Sequence, residues 1–244
     1  MRQEEIWDAE TAQRYDTPGT GMFAPEVLGP TLDRLAELAG DGRALEFAIG
    51  TGRVAVPLAQ RGVPVTGIEL SGPMIEQLRT KADEAVIPVI AGDMATARAP
   101  GAYTLVYLVY NTISNLLTQD EQVACFRNAG EHLRPGGRFV VEVMVPQLQR
   151  LPPGETAHPF LVSPGRLGFD EYDVVTQRLV SHHYWVTAGD ARALSMPFRY
   201  VWPAELDLMA RLAGMALEDR WSDWERSPFT AASPSHVSVW RRDG

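Results

Sequence analysis

The chain has 244 residues, enough for one large α/β domain or two small ones, either with a real core. It is 45% hydrophobic and 22% charged, an ordinary globular balance, and its formal charge of −9 argues against a partner held through phosphates, such as nucleic acid. A single cysteine, Cys125, excludes an intrachain disulfide, and its place among apolar helix positions reads as core rather than nucleophile. No apolar run approaches a membrane span and the opening MRQEEIWDAE carries no signal-peptide pattern, so a cytoplasmic protein without membrane contact is expected.

Residues 7–16 read as a short helix capped by Asp8, followed by the turn-rich DTPGTG at 16–21 and a second helix from about Pro25 to Ala39. Regular alternation then begins. Strand 43–49 leads to helix 51–61, strand 63–68 to helix 72–83, and strand 86–91 to the loop Gly92-Asp93-Met94. Strand 103–109 precedes a polar loop, Tyr110 to Leu117. Thr118 and Glu121 then form a capping box for a helix, and Arg134-Pro135-Gly136-Gly137 turns into strand 138–145. Apolar strands alternating with helices predict a parallel sheet covered on both faces. The rhythm breaks at Pro146. Residues 146–166 hold five prolines and read as loop, and three strand-like runs follow at 167–175, 178–187 and 193–201. A helix at 203–213 and two hairpin-like strands, 215–221 and 236–240, close the chain.

The chemistry concentrates at RALEFAIGTG, residues 43–52. A buried strand runs into Gly50-Thr51-Gly52, where glycine permits a tight turn and a close ligand approach. About seventeen residues past Gly52, the next strand ends in Glu69, a carboxylate placed to accept from both ribose hydroxyls of a nucleoside over the turn. The string Gly50-Thr51-Gly52-Arg53-Val54-Ala55 also satisfies the letter pattern of a nicotinamide dinucleotide site, so an NAD(P)-dependent oxidoreductase is the rival on these residues.

The segments LEFAIGTGR (45–53), VTGIELS (65–71), AGDM (91–94), YTLVYLVYNT (103–112) and LRPGGRFVVEV (133–143) resemble the class I S-adenosylmethionine-dependent methyltransferases. The resemblance covers roughly residues 40–145 and implies a Rossmann-like, doubly wound α/β fold: a seven-stranded sheet with its last strand antiparallel, here with a small antiparallel sheet inserted. It implies S-adenosylmethionine as cofactor. Glu46 would support the loop or the donor's amino group, and Gly50, Thr51 and Gly52 would pack against its methionine and ribose. Glu69 would hold the ribose diol, with Leu70 and Met74 near the adenine. Asp93 would accept from the adenine amino group beside Met94, and Tyr110 and Asn111 would line the floor beneath the methyl. Ala48 departs from the family pattern, standing where its first glycine belongs. A non-catalytic donor-binding protein of the same fold is the second alternative.

Tyr-Asn-Thr-Ile at 110–113 lacks the signature of amino-directed nucleic-acid enzymes and resembles small-molecule, natural-product methyltransferases, so transfer to an O or N atom of a small acceptor is expected. No His/Cys/Asp spacing suggests a metal. Methyl transfer is an in-line displacement that alignment alone can drive, with a base optional. The candidates for that role are Asn111, Tyr15 and His183, followed by His182 and Arg199. His182 and His183 must point to opposite faces of their strand. Tyr184, Trp185, Tyr200 and Trp202 are candidates for an aromatic acceptor pocket. The organisation expected is a single domain over 1–244, made of a helical lid (1–40), a donor core (41–145), an acceptor or dimerisation segment (146–202), and a final helix and hairpin (203–244). Tyr15 belongs to the lid and to the donor site alike.

Overall fold

The computed structural model describes residues 7–187 and 189–244. Residues 1–6, which begin the expected lid and hold most of the amino-terminal stretch read for a signal pattern, and residue 188 lie outside it.

Asp8 caps helix α1 (Ala9–Tyr15), accepting from the Thr11 N–H at 2.8 Å. A 3₁₀ turn (Gly21–Phe23) leads to helix α2 (Pro25–Ala39). The strands β1 (Ala44–Phe47), β2 (Val65–Glu69), β3 (Val89–Ala91), β4 (Tyr103–Leu108), β5 (Leu133–Met144), β10 (Met215–Trp221) and β11 (Ser235–Arg242) build one sheet, ordered β10-β11-β5-β4-β1-β2-β3. The last strand, β11, runs antiparallel to both neighbours, and the pairs among β1 to β5 are parallel. Both faces are covered, because alternate strand residues feed two cores. Leu45, Phe47, Phe126, Phe139 and Trp240 lie in one; Ala44, Leu35, Leu58, Tyr107 and Val140 lie in the other.

The connecting helices are α3 (Ala55–Gln60), α4 (Gly72–Arg79), α5 (Gln119–His132) and α6 (Pro203–Leu212). The capping box of Thr118 and Glu121 is present in full on α5. Helix α3 starts at Ala55 rather than 51, since Gly50 (φ +57°) and Gly52 (φ +80°) carry a turn that delays the helix. Strand β3 is shorter than the predicted 86–91. The Pro135-Gly136 turn is absorbed into β5 as a register shift: Tyr103 pairs with Leu133, but Leu105 with Arg138.

The inserted sheet has four strands where the sequence predicts three: β6 (Ala157–Ser163), β7 (Arg166–Asp173), β8 (Arg178–Thr187) and β9 (Asp190–Arg199), in that spatial order. The extra strand lies in the proline-rich stretch read as loop. Pro159 is tolerated because β6 is an edge strand whose register shifts between Pro159 and Leu161. This sheet leaves β5 at the carboxyl edge of the large sheet. Its Arg199, 4% exposed, anchors it to the core by donating to Gln122 on α5 and Glu205 on α6.

Candidate active site

The carboxyl ends of β1, β2 and β3 open on a narrow slot lined by Ala48, Gly50, Ile68, Glu69, Leu70, Met74, Asp93 and Met94, with Trp7 and Tyr15 from the lid. Glu69 is 6% exposed. Its Oε2 accepts from the Gly50 N–H and its Oε1 from the Ser71 N–H, each at 2.8 Å, and it forms no ion pair among the described residues. Burial raises its pKa against those main-chain bonds. Each oxygen retains a lone pair, the pair of acceptors that a ribose diol needs. At Gly50 a Cβ would meet only the Ala48 carbonyl at 3.9 Å, so the main chain there is open to a ligand. Asp93 Oδ1 is held by the Ala95 N–H at 2.7 Å. Carboxylates beside apolar and aromatic walls suit a nucleoside that carries a positive charge.

The lid is pinned over this slot. Asp16 accepts from the Thr51 hydroxyl (2.6 Å) and from Lys81, and the Ser71 hydroxyl donates to the Trp7 carbonyl (2.6 Å). Trp7, Tyr15 and Phe23 form an edge-to-face chain with centroids 5.6 and 6.1 Å apart. Burial pushes the Tyr15 pKa up to about 12, so it is a neutral phenol. Thr51 is therefore engaged with the lid. Gly52 packs against Val56 and Leu78, where a Cβ would meet atoms at 2.9 and 3.1 Å, rather than lining the slot. Glu46 lies beneath, accepting from the Tyr107 hydroxyl at 2.9 Å, its pKa raised to about 8 by burial.

A second and larger space, about 760 Å³, opens between the inserted sheet and the same edge of the large sheet. Tyr110 and Asn111 line it, and Thr112 and Asn115 of the same turn line the slot, so the two spaces share one wall. Both Tyr110 (φ +56°) and Asn111 (φ +64°) are left-handed, a conformation that costs non-glycine residues energy. Glu142 holds them: its Oε2 accepts from the Tyr110 N–H (2.8 Å), its carbonyl from the Asn111 N–H (3.1 Å), and its Oε1 from Trp224 Nε1 (2.9 Å). Asn111 Oδ1 accepts from the Met144 N–H at 2.7 Å, which fixes the amide so that its nitrogen is the donor.

His183 faces this cleft and His182 the opposite side of the sheet, where it stacks on Phe169 at 4.7 Å. Of the four aromatic candidates Tyr200 lines the cleft. Tyr184 stacks on Phe169 behind it, and Trp185 and Trp202 are not in its wall. Arg199 serves the anchor described above and lines neither space. Sequence reasoning missed Trp7 and Ser71 at the slot, and Asp170, Ser181 and Phe160 at the cleft. Strand alternation would have put Asp170 and Tyr172 on one face, but not against Ser181. Among the described residues no three His, Cys, Asp or Glu side chains converge as a metal site, and no helix is long and apolar enough to cross a membrane.

A family model described as a methyltransferase domain matches residues 44–137. The chain is 36% identical to the CcbJ methyltransferase of Streptomyces caelestis, covering 97% of this chain and 96% of that one with a TM-score of 0.82. It is 26% identical to the cypemycin N-terminal methyltransferase of a Streptomyces species, over 99% and 100% of the two chains. SAM-bound CalS10, an amino pentose methyltransferase from Micromonospora echinaspora, shares the fold at 21% identity and TM-score 0.70, covering 97% and 96%.

Proposed function

The chain belongs to the class I S-adenosylmethionine-dependent methyltransferases, and from that membership we propose that it methylates an N or O atom of a small molecule bound in the cleft beneath the inserted sheet. The observation that carries this reading is the wall shared by the slot and the cleft, Tyr110 to Asn115. Neither a nicotinamide-dependent oxidoreductase nor a non-catalytic binder finds support among the relatives described above, each named as a methyltransferase.

When bound, the donor supplies a methyl on sulfonium sulfur, which an acceptor lone pair takes as the carbon–sulfur bond breaks. The chain's residues would do the rest. Glu69 takes the ribose hydroxyls, Asp93 the adenine amino group, and Leu70, Met74 and Met94 flank the ring. Glu46 supports the loop from below, while Ala48 and Gly50 allow close approach and Trp7 and Tyr15 exclude water above. Tyr110 and Asn111, locked by Glu142, set the floor where donor and acceptor meet, so alignment is the main contribution. Segment 146–202 and the lid select the acceptor.

One relative that matches over the whole chain is named for an amino-terminal substrate, which favours a small or peptide acceptor. The charge of −9 disfavours nucleic acid. A lone thiol, Cys125, buried and with its pKa raised, fits a reducing cytoplasm. The back of the inserted sheet, with Val162 and Leu167 exposed, would pair two copies as a homodimer. The test is transfer of labelled methyl to panels of small amines and alcohols beside DNA and RNA. Label in small molecules is expected; label confined to nucleic acid would refute the reading.

A further inference from the structure

We propose that the acceptor is an amine that arrives as its ammonium ion, pairs with Asp170 and gives a proton to His183 before it is methylated. This rests on the cleft being the acceptor site. Asp170 on β7 and His183 on β8 both line it. Asp170 lies directly opposite Ser181 and His158 in register, and Ser181 Oγ is 3.2 Å from His183 Nε2, so one row of side chains links carboxylate, hydroxyl and imidazole.

The surroundings call for a cation. The walls are otherwise largely apolar and aromatic: Phe160, Tyr172, Leu179, Met196, Phe198 and Tyr200. Asp170 is half-buried among them and has no Lys or Arg ion pair among the described residues. Burial raises its pKa, which the Ser181 hydroxyl and nearby histidines counter. An anion in such a cleft is costly until a positive group meets it. A hydroxyl acceptor offers none; an ammonium does. Arg150, the cleft's guanidinium, is exposed on the 3₁₀ turn Leu148–Arg150.

An ammonium has no lone pair. With an amine pKa of about 10, as for lysine, only about one molecule in a thousand is free base near pH 7. His183 answers this. Burial and the charge of Arg166 lower its pKa, Asp170 opposing, so at that pH it is neutral and carries an unprotonated ring nitrogen. The other titratable groups in the cleft wall are Tyr110, Arg150, His158, Tyr172 and, just past β9, Tyr200. With the Ser181 proton turned to Asp170, Ser181 accepts from His183 Nε2–H, and in that tautomer Nδ1 carries the lone pair. The ammonium proton passes to Nδ1 and its bonding pair stays on nitrogen, which forms the new bond to carbon. The product is again an ammonium, and His183 loses its proton to solvent, one per methyl transferred.

The full chain saturated with S-adenosylhomocysteine is titrated with benzylamine and with benzyl alcohol, probes alike but for charge. Benzylamine is expected to bind at least about tenfold more tightly. Asp170→Asn should abolish that preference and Asp170→Glu retain it, both keeping wild-type affinity for S-adenosylhomocysteine as proof of fold. By NMR, benzylamine should lower the titration midpoint of His183, since the bound cation lies beside it, and should not do so in Asp170→Asn. Equal affinity for the probes, binding of neither, an Asp170→Asn variant that still prefers the amine, or an unmoved His183 titration overturns the proposal. Failure of S-adenosylhomocysteine itself to bind would instead strike at the donor reading.

Discussion

The Glu142 carboxylate accepts the main-chain N–H of Tyr110 at 2.8 Å, and through that bond a strand of the large sheet dictates the shape of the turn between slot and cleft. Two consecutive left-handed residues persist there because Glu142 and Asn111 between them satisfy the main chain on both sides.

Glu142→Ala should therefore lower stability by about 1–3 kcal/mol, the cost of leaving polar groups without partners. It should also reduce acceptor turnover while affinity for S-adenosylhomocysteine holds. Urea melts, calorimetry and single-turnover rates measure the three. Unchanged turnover would show that the turn keeps its shape without Glu142.

Glu69→Ala should weaken donor binding by about 1.5–3 kcal/mol, as for hydrogen bonds to a charged group. The fold should survive, but the Gly50 N–H and Ser71 N–H both lose their acceptor, so the melting temperature should fall as well. A variant that binds the donor like wild type would remove Glu69 from the site.

The parts of the site legible in the sequence are those set by one strand and the turn after it. Gly50, Glu69 and Asp93 each end or follow a strand of a parallel sheet, so spacing along the chain places them at one edge. Asp170, Ser181 and His183 meet only through the register of β7 on β8, which no local pattern encodes. The fourth inserted strand was hidden because Pro159 reads as a breaker, and only its edge position explains its tolerance. Trp7 escaped notice because a lid residue is placed by tertiary contacts, here the Ser71 hydroxyl on its carbonyl.

Ala48 occupies a left-handed conformation, φ +51°, at the position the family gives to glycine. An L-residue there costs roughly 1–2 kcal/mol, and glycine's extra chain entropy returns about half of that. Ala48→Gly is expected to stabilise the protein by about 0.5–1 kcal/mol in denaturant titrations. A loss of stability would mean that the Ala48 methyl makes packing contacts worth more than the strain.

His236 is buried and its pKa is lowered to about 4, first by burial and then by the charge of Arg220, with Asp207 opposing. Unfolding restores its ordinary value of 6.5, so the unfolded chain binds the proton more tightly. Its contribution is present above pH 6.5 and is lost as pH falls towards 4, about 3 kcal/mol in all. The difference in unfolding free energy between wild type and His236→Asn, measured from pH 7 to 4, should shrink by that order. A constant difference would show that His236 titrates normally.

A crystal structure with S-adenosylhomocysteine tests the joining of slot and cleft most directly. The ribose hydroxyls should lie on Glu69, the adenine beside Asp93 and Met94, and the sulfur at the Tyr110–Asn111 turn, facing the cleft that holds Asp170 and His183. A ligand whose sulfur faces away from that cleft, or which sits outside the slot altogether, would contradict it.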